Sequence, residues 1–145
     1  LHEKLKIVNS VGLSNYMVRN VSSKEILRKT EIDNLWFIPA GPVLPNSSEL
    51  IESGVLDELI EELKEQFDYV IIDSTPAGLV ADATLMVKYA SFILLVCRNE
   101  YTRKDVFTDV LNLFHTNNID NFDIVFNDLN LKKSRYGRYD NYYKQ

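Results

Sequence analysis

Cysteine is nearly absent from this 145-residue chain. Cys97 stands alone, so no internal disulfide can form; it lies in an apolar run, which points to a buried thiol and a reducing compartment. Histidine is scarce too. His2 and His115 have no cysteine or histidine at metal-ligand spacing, so no zinc site is suggested. No apolar run approaches the roughly 18 residues a membrane helix needs. The longest, Phe92 to Cys97, is strand-sized, and nothing at the N-terminus resembles a secretion signal. The phosphate-cradling pattern G-x-x-x-x-G-K-[ST] is also missing: Gly12, Gly41, Gly54, Gly78 and Gly137 are the glycines, and none precedes a lysine.

What is present is the composition of an ordinary folded domain, 46% hydrophobic and 26% charged. That is enough apolar surface to offset the chain entropy over most of the length. The net charge of −5 hides a split. Residues 1–131 hold 11 basic and 20 acidic side chains, whereas residues 132–145 hold five basic and one acidic. An acidic body argues against a nucleic-acid-binding surface. A basic tail suits docking on an acidic surface, another copy of the body included.

Apolar runs alternate with helical patterns. Leu35 to Ile38 reads as a strand that ends at Pro39-Ala40-Gly41-Pro42. Ser47 or Ser48 would cap a short helix holding Glu49, Leu50 and Ile51. Val55, Leu56, Leu59, Ile60 and Leu63 then recur at the three-to-four spacing of an amphipathic helix with a solvated acidic face. Tyr69 to Asp73 reads as a strand ending in a carboxylate, and Asp82 as the cap of the next helix. Phe92 to Cys97 reads as a strand buried on both faces. Thr102 is the expected cap of a helix through Phe114, and Phe122 to Phe126 is the last strand. The first 30 residues are weakly patterned: a short helix near Ser14 to Arg19 and an extended piece near Glu25 to Arg28 are expected. Such alternation predicts an α/β fold, a parallel sheet with flanking helices. Residues 1–131 form the domain, and residues 132–145 form a flexible tail.

In parallel α/β sheets ligands bind beyond the carboxyl ends of the strands. Three polar residues stand there. Asp73 ends Val70-Ile71-Ile72-Asp73, the pattern of a Walker B segment whose carboxylate holds Mg²⁺ beside nucleotide phosphates; a plain loop cap gives the same pattern. Asn127 offers an amide to a base edge, or else opens an Asn-Asp turn. Arg98 faces a phosphate, or else pairs with a nearby acid. The tail is the most unusual feature. Tyr136, Tyr139, Tyr142 and Tyr143 alternate with basic residues outside any core pattern. Exposed phenols of this kind suit phosphorylation, which would turn the basic tail negative, or stacking on single-stranded nucleic acid.

Val70 to Pro76, with Gly78 and Asp82-Ala83, resembles the Walker B stretch of bacterial tyrosine kinases, the cytoplasmic kinase domains of capsule and exopolysaccharide export systems. Leu35 to Pro42 with Pro45 to Leu50 is similar to that family's strand, proline loop and helix start. Gly12-Leu13-Ser14, Arg98 with Tyr101 to Lys104, Val125 to Asp128 and the tyrosine-rich tail fit in the same order. The resemblance implies a P-loop NTPase-like fold related to MinD and ParA, with ATP and Mg²⁺ as cofactors. It implies that Asp73 holds the metal and serves catalysis, that Asn127 contacts adenine with Arg98 at the nucleotide, and that the four tail tyrosines are autophosphorylated. The partners it implies are neighbouring copies in a ring and a membrane activator segment at the cytoplasmic face of the inner membrane, with no nucleic acid. Thr75 stands where many members carry proline.

In such kinases the phosphate cradle lies upstream of the part that Gly12-Leu13-Ser14 resembles. The chain, opening with Leu1, is therefore expected to be the C-terminal portion of the domain, incomplete at its N-terminus and inactive alone. A non-catalytic MinD/ParA-like scaffold or phospho-acceptor in the same system is the alternative.

Overall fold

The computed structural model describes residues 1–45, 47–76 and 85–129. The chain divides into two compact units, Leu1–Thr75 with Val80–Tyr89, and Pro76–Leu79 with Ala90–Gln145.

The first unit is built on short helices around one apolar cluster. Helix α1 spans Leu13–Met17 and α2 spans Ser23–Ile26. The extended piece expected from Glu25 is thus helical as far as Ile26, and strand β1 covers only Arg28–Lys29. The reason is local. Glu25 folds back three residues and accepts from both the Ser22 backbone N–H, at 2.8 Å, and the Ser22 hydroxyl, at 2.7 Å. That capping box nucleates a turn of helix.

Strand β2, Trp36–Phe37, pairs antiparallel with β1 in the register Arg28 to Phe37 and Lys29 to Trp36. The apolar run at 35–38 thus forms a two-residue hairpin arm, not a strand of the parallel sheet. Thr30 makes the turn: its Oγ1 accepts from Ile32 N–H at 3.0 Å and donates to the Leu35 carbonyl at 2.9 Å. Asn34 adopts a left-handed φ of 60°, a region asparagine tolerates.

Helix α3, Ser47–Glu52, contains both serines expected to cap it. Helix α4, Val55–Gln66, follows Gly54, whose φ of 82° sets the left-handed corner between them. Val55, Leu56, Leu59, Ile60 and Leu63 are all buried, as their spacing predicts. Asp57 and Glu58 in the first turn and Lys64 in the last suit the helix dipole. Met17, Ile26, Ile51, Leu56, Leu59 and Leu63 form the core, with Val70, Leu85, Met86 and Tyr89 packed against it.

Residues Tyr69 to Asp73 have no ladder partner among the described residues. Their burial still alternates with the period of a strand. Val70 and Ile72 are partly covered, while Tyr69 and Ile71 are 88% and 89% exposed. The apolar pattern is that of a strand, but an apolar pattern supplies no hydrogen bonds; a ladder needs a neighbouring backbone.

The second unit holds a β-α-β arrangement: β3, Ile93–Arg98, α5, Lys104–Thr116, and β4, Phe122–Asn127. β3 and β4 are parallel and paired from Ile93 with Phe122 to Arg98 with Asn127. The Phe114 ring on α5 meets Phe122 edge-on at 5.0 Å, on the face that carries Ile93, Leu95 and Cys97. The opposite face, with Leu94 and Val96, is about 60% exposed. β3 is therefore buried on one face within its unit, not both, because one helix covers one face. Asp82 and the tail from Lys132 lie outside the described residues. Among the described residues, no helix is long and apolar enough to cross a membrane.

Candidate functional site

The last rung of the parallel pair places Arg98 beside Asn127. The ladder runs one bond further, from Asn99 N–H to the Asn127 carbonyl at 3.0 Å. The chain then turns back on Arg98. Its carbonyl accepts from Thr102 N–H at 2.9 Å, and its own N–H donates to Thr102 Oγ1 at 2.8 Å. Thr102 therefore closes this turn and does not cap α5, whose cap position is Arg103. Asp105 in the first turn of α5 is paired with Arg103. That guanidinium, and then the Val106 amide, hold the Asp105 carboxyl below the usual aspartate range.

The Arg98 side chain is ion-paired: its Nε donates to Asp128 Oδ2 at 2.8 Å, and the guanidinium lies 5.3 Å from the centre of the Tyr101 ring. Asp128, with a left-handed φ of 60°, donates its backbone N–H to Asn127 Oδ1 at 2.8 Å. The Asn-Asp turn and the acid partner for Arg98 are thus both realised. Among the described residues Asn127 Nδ2 makes no hydrogen bond to another residue. Nearby, burial pushes the Cys97 thiol up, which makes it a poor nucleophile.

Asp73 lies in the first unit. It is exposed, and its carboxylate has no ion pair or hydrogen bond with another described residue. Among the described residues no group of three or more metal-ligating side chains occurs. A lone free carboxylate is nonetheless what Mg²⁺ takes from a protein, with water and phosphate oxygens completing the shell. Tyr136, Tyr139, Tyr142 and Tyr143 lie outside the described residues.

Around Gly12 and Gly41 two segments interlock, an arrangement with no single sequence signature. Asn9 pairs with the Gly41 backbone, accepting from its N–H at 2.9 Å and donating to its carbonyl at 3.3 Å. Leu13 and Ser14 N–H groups donate to the Pro39 and Ala40 carbonyls at 2.8 and 2.9 Å. This fixes the loop that leaves β2. Nothing in the sequence marked Asn9, an isolated asparagine in a weakly patterned stretch, or Asp128 as the partner of Arg98.

Residues 3–124 match the AAA domain family. The chain belongs to that family. Membership implies nucleotide binding. Among curated proteins, the tyrosine-protein kinase CpsD of Streptococcus pneumoniae is 32% identical over 129 residues, covering 88% of this chain and 56% of the relative. The chain spans about half the length of the curated relatives it matches. Among solved structures, the chimerical protein CapA2B2 superposes with a TM-score of 0.82 at 29% identity, over 88% of this chain and 57% of the other. The BceF tyrosine kinase domain gives 0.72 at 32% identity, over 79% and 48%. The chain is thus homologous to bacterial tyrosine-protein kinases. Its AAA domain has the P-loop NTPase-like α/β fold, with parallel strands and flanking helices, that the motif order predicts.

Proposed function

We propose that this chain is part of a protein-tyrosine autokinase that transfers the γ-phosphate of ATP to tyrosines of its own tail and so regulates capsule or exopolysaccharide synthesis and export. The observation that carries the reading is the pairing of two features in one homologue of tyrosine kinases. Polar residues cluster at the carboxyl end of a parallel strand pair, and four tyrosines stand in a basic tail.

Asp73 is the residue to hold Mg²⁺, which when bound neutralises charge on the phosphates. Its exposed carboxylate, unpartnered among the described residues, fits that task. Asn127 offers Nδ2 to the base, with Arg98 beside it at the nucleotide end of the sheet. Tyr136, Tyr139, Tyr142 and Tyr143 are the acceptors, presented to the site of a neighbouring copy. The negative body and positive tail favour that exchange, and each phosphate added reverses it. A membrane activator segment at the cytoplasmic face of the membrane is the further partner. These 145 residues lack a phosphate-cradling glycine loop, so by themselves they bind nucleotide weakly and transfer no phosphate.

The test is tail phosphotyrosine, read by mass spectrometry on the whole protein in the cell that makes it. The reading expects modified tail tyrosines in the wild type and their loss in Asp73→Asn. An unmodified wild-type tail, or a tail equally modified in Asp73→Asn, rejects it.

A further inference from the structure

We infer that Arg98 is a positioning residue that orients the Asn127 amide toward a nucleotide base through Asp128, and is not itself a phosphate ligand. The inference rests on the nucleotide reading of Asn127 given above.

The geometry forms a short relay. Arg98 Nε holds Asp128 Oδ2 at 2.8 Å, and Asp128 N–H holds Asn127 Oδ1 at 2.8 Å. Both ends of the relay start from one rung, since Arg98 and Asn127 are register partners in β3 and β4. Arg98 is itself anchored at its backbone on both sides by Thr102, and Tyr101 covers its guanidinium. A phosphate-binding arginine keeps its planar fork open for two oxygens. Here the Nε edge of that fork is committed to a carboxylate, which also offsets part of the positive charge a phosphate would meet.

What the relay achieves is rotameric. An asparagine side chain at a strand end has a broad torsion about its amide. Tying Oδ1 to the next N–H turns that oxygen toward the chain and leaves Nδ2 as the outward group. That N–H is aimed correctly only while residue 128 stays in its left-handed conformation, which an L-residue adopts at a cost. The ion pair with Arg98 offsets the cost. The ligand class this amide suits is a purine or other base with a ring-nitrogen acceptor. The phosphates must be met elsewhere.

Two measurements test the inference, the first on this chain and the second on the whole protein. The first needs no ligand: amide exchange of Asp128 followed by ¹⁵N NMR. Arg98→Ala and Asp128→Asn are each expected to speed it, Arg98→Lys to speed it less, and the double variant to add little to either single one, as for partners in one network. Full additivity, or unchanged exchange in Arg98→Ala, overturns the relay. The second compares the binding of Mg·ATP with that of Mg·tripolyphosphate, which has no base. Arg98→Ala is expected to weaken ATP about fivefold, the ~1 kcal/mol of one net hydrogen bond, and to leave tripolyphosphate unchanged. Equal loss of both probes makes Arg98 a phosphate ligand and overturns the inference. If the wild type binds ATP and Arg98→Ala binds it as tightly, the inference fails and the nucleotide reading stands. If the wild type binds neither probe, the nucleotide reading of Asn127 fails, and the positioning role falls with it whatever the exchange data show.

Discussion

Gly12 and Pro39 approach so closely that a β-carbon on residue 12 would lie 2.2 Å from the Pro39 carbonyl oxygen. The obstacle is backbone, which cannot swing aside as a side-chain tip can. Gly12→Ala is therefore expected to destabilise the first unit by about 1–3 kcal/mol, the usual range for overpacking that forces backbone to shift. Gly41→Ala carries a similar penalty for two reasons: its φ of 80° disfavours a side chain, and its β-carbon would meet Ser14 Oγ at 2.3 Å. Asn9→Ala removes the pairing with Gly41 and costs about 1–2 kcal/mol. Urea unfolding midpoints measure all three, and a Gly12→Ala midpoint equal to wild type contradicts the interlock.

Leu59 and Val43 provide a contrast in burial. Leu59 is 1% exposed and Val43 98% exposed. Leu59→Ala should cost about 2–5 kcal/mol, as buried leucine truncations do. Val43→Ala should stay within about 0.5 kcal/mol, since the side chain already faces water. Paired denaturation curves read the difference directly.

Acid should melt the start of α2. The Ser22 backbone N–H, and then its hydroxyl, hold the Glu25 carboxyl below the usual glutamate range. A carboxyl depressed in the folded state contributes stability above its unfolded pKa, about 4.3, and loses that contribution as pH falls through the folded value. Lowering the pH from about 5 to below the folded value should thus lower the thermal midpoint of the wild type more than that of Glu25→Gln. Parallel pH dependences in the two proteins contradict the capping role.

Much of the architecture was legible because it repeats. The five apolar positions of α4 recur at helical spacing and are all buried. The β3–α5–β4 sequence shows the alternation that makes parallel pairs. Other parts depended on partners that a linear pattern does not name. Leu35 to Ile38 and Tyr69 to Asp73 look alike as apolar runs. Yet the first finds an antiparallel neighbour two residues long, and the second finds none among the described residues. The extended piece expected near Glu25 gave way to helix because the Ser22 to Glu25 capping box, which lies in a weakly patterned stretch, outranks the strand propensity there. In the candidate site, Arg98 and Asn127 were legible as strand-end residues, and both local alternatives raised for them occur: the acid partner and the Asn-Asp turn. Their linkage through Asp128 was not legible, because it depends on the register of two strands 24 residues apart and on a left-handed residue.

On the proposed function, Asp73 serves magnesium nucleotide and the tail phenols accept its terminal phosphate. The most direct measurement is transfer of label from γ-labelled Mg·ATP to the whole protein, followed by peptide mapping. Label is expected on Tyr136, Tyr139, Tyr142 or Tyr143, abolished by Asp73→Asn and by replacing the four tyrosines with phenylalanine. Label that persists in both variants, or a wild type that takes up none, contradicts it.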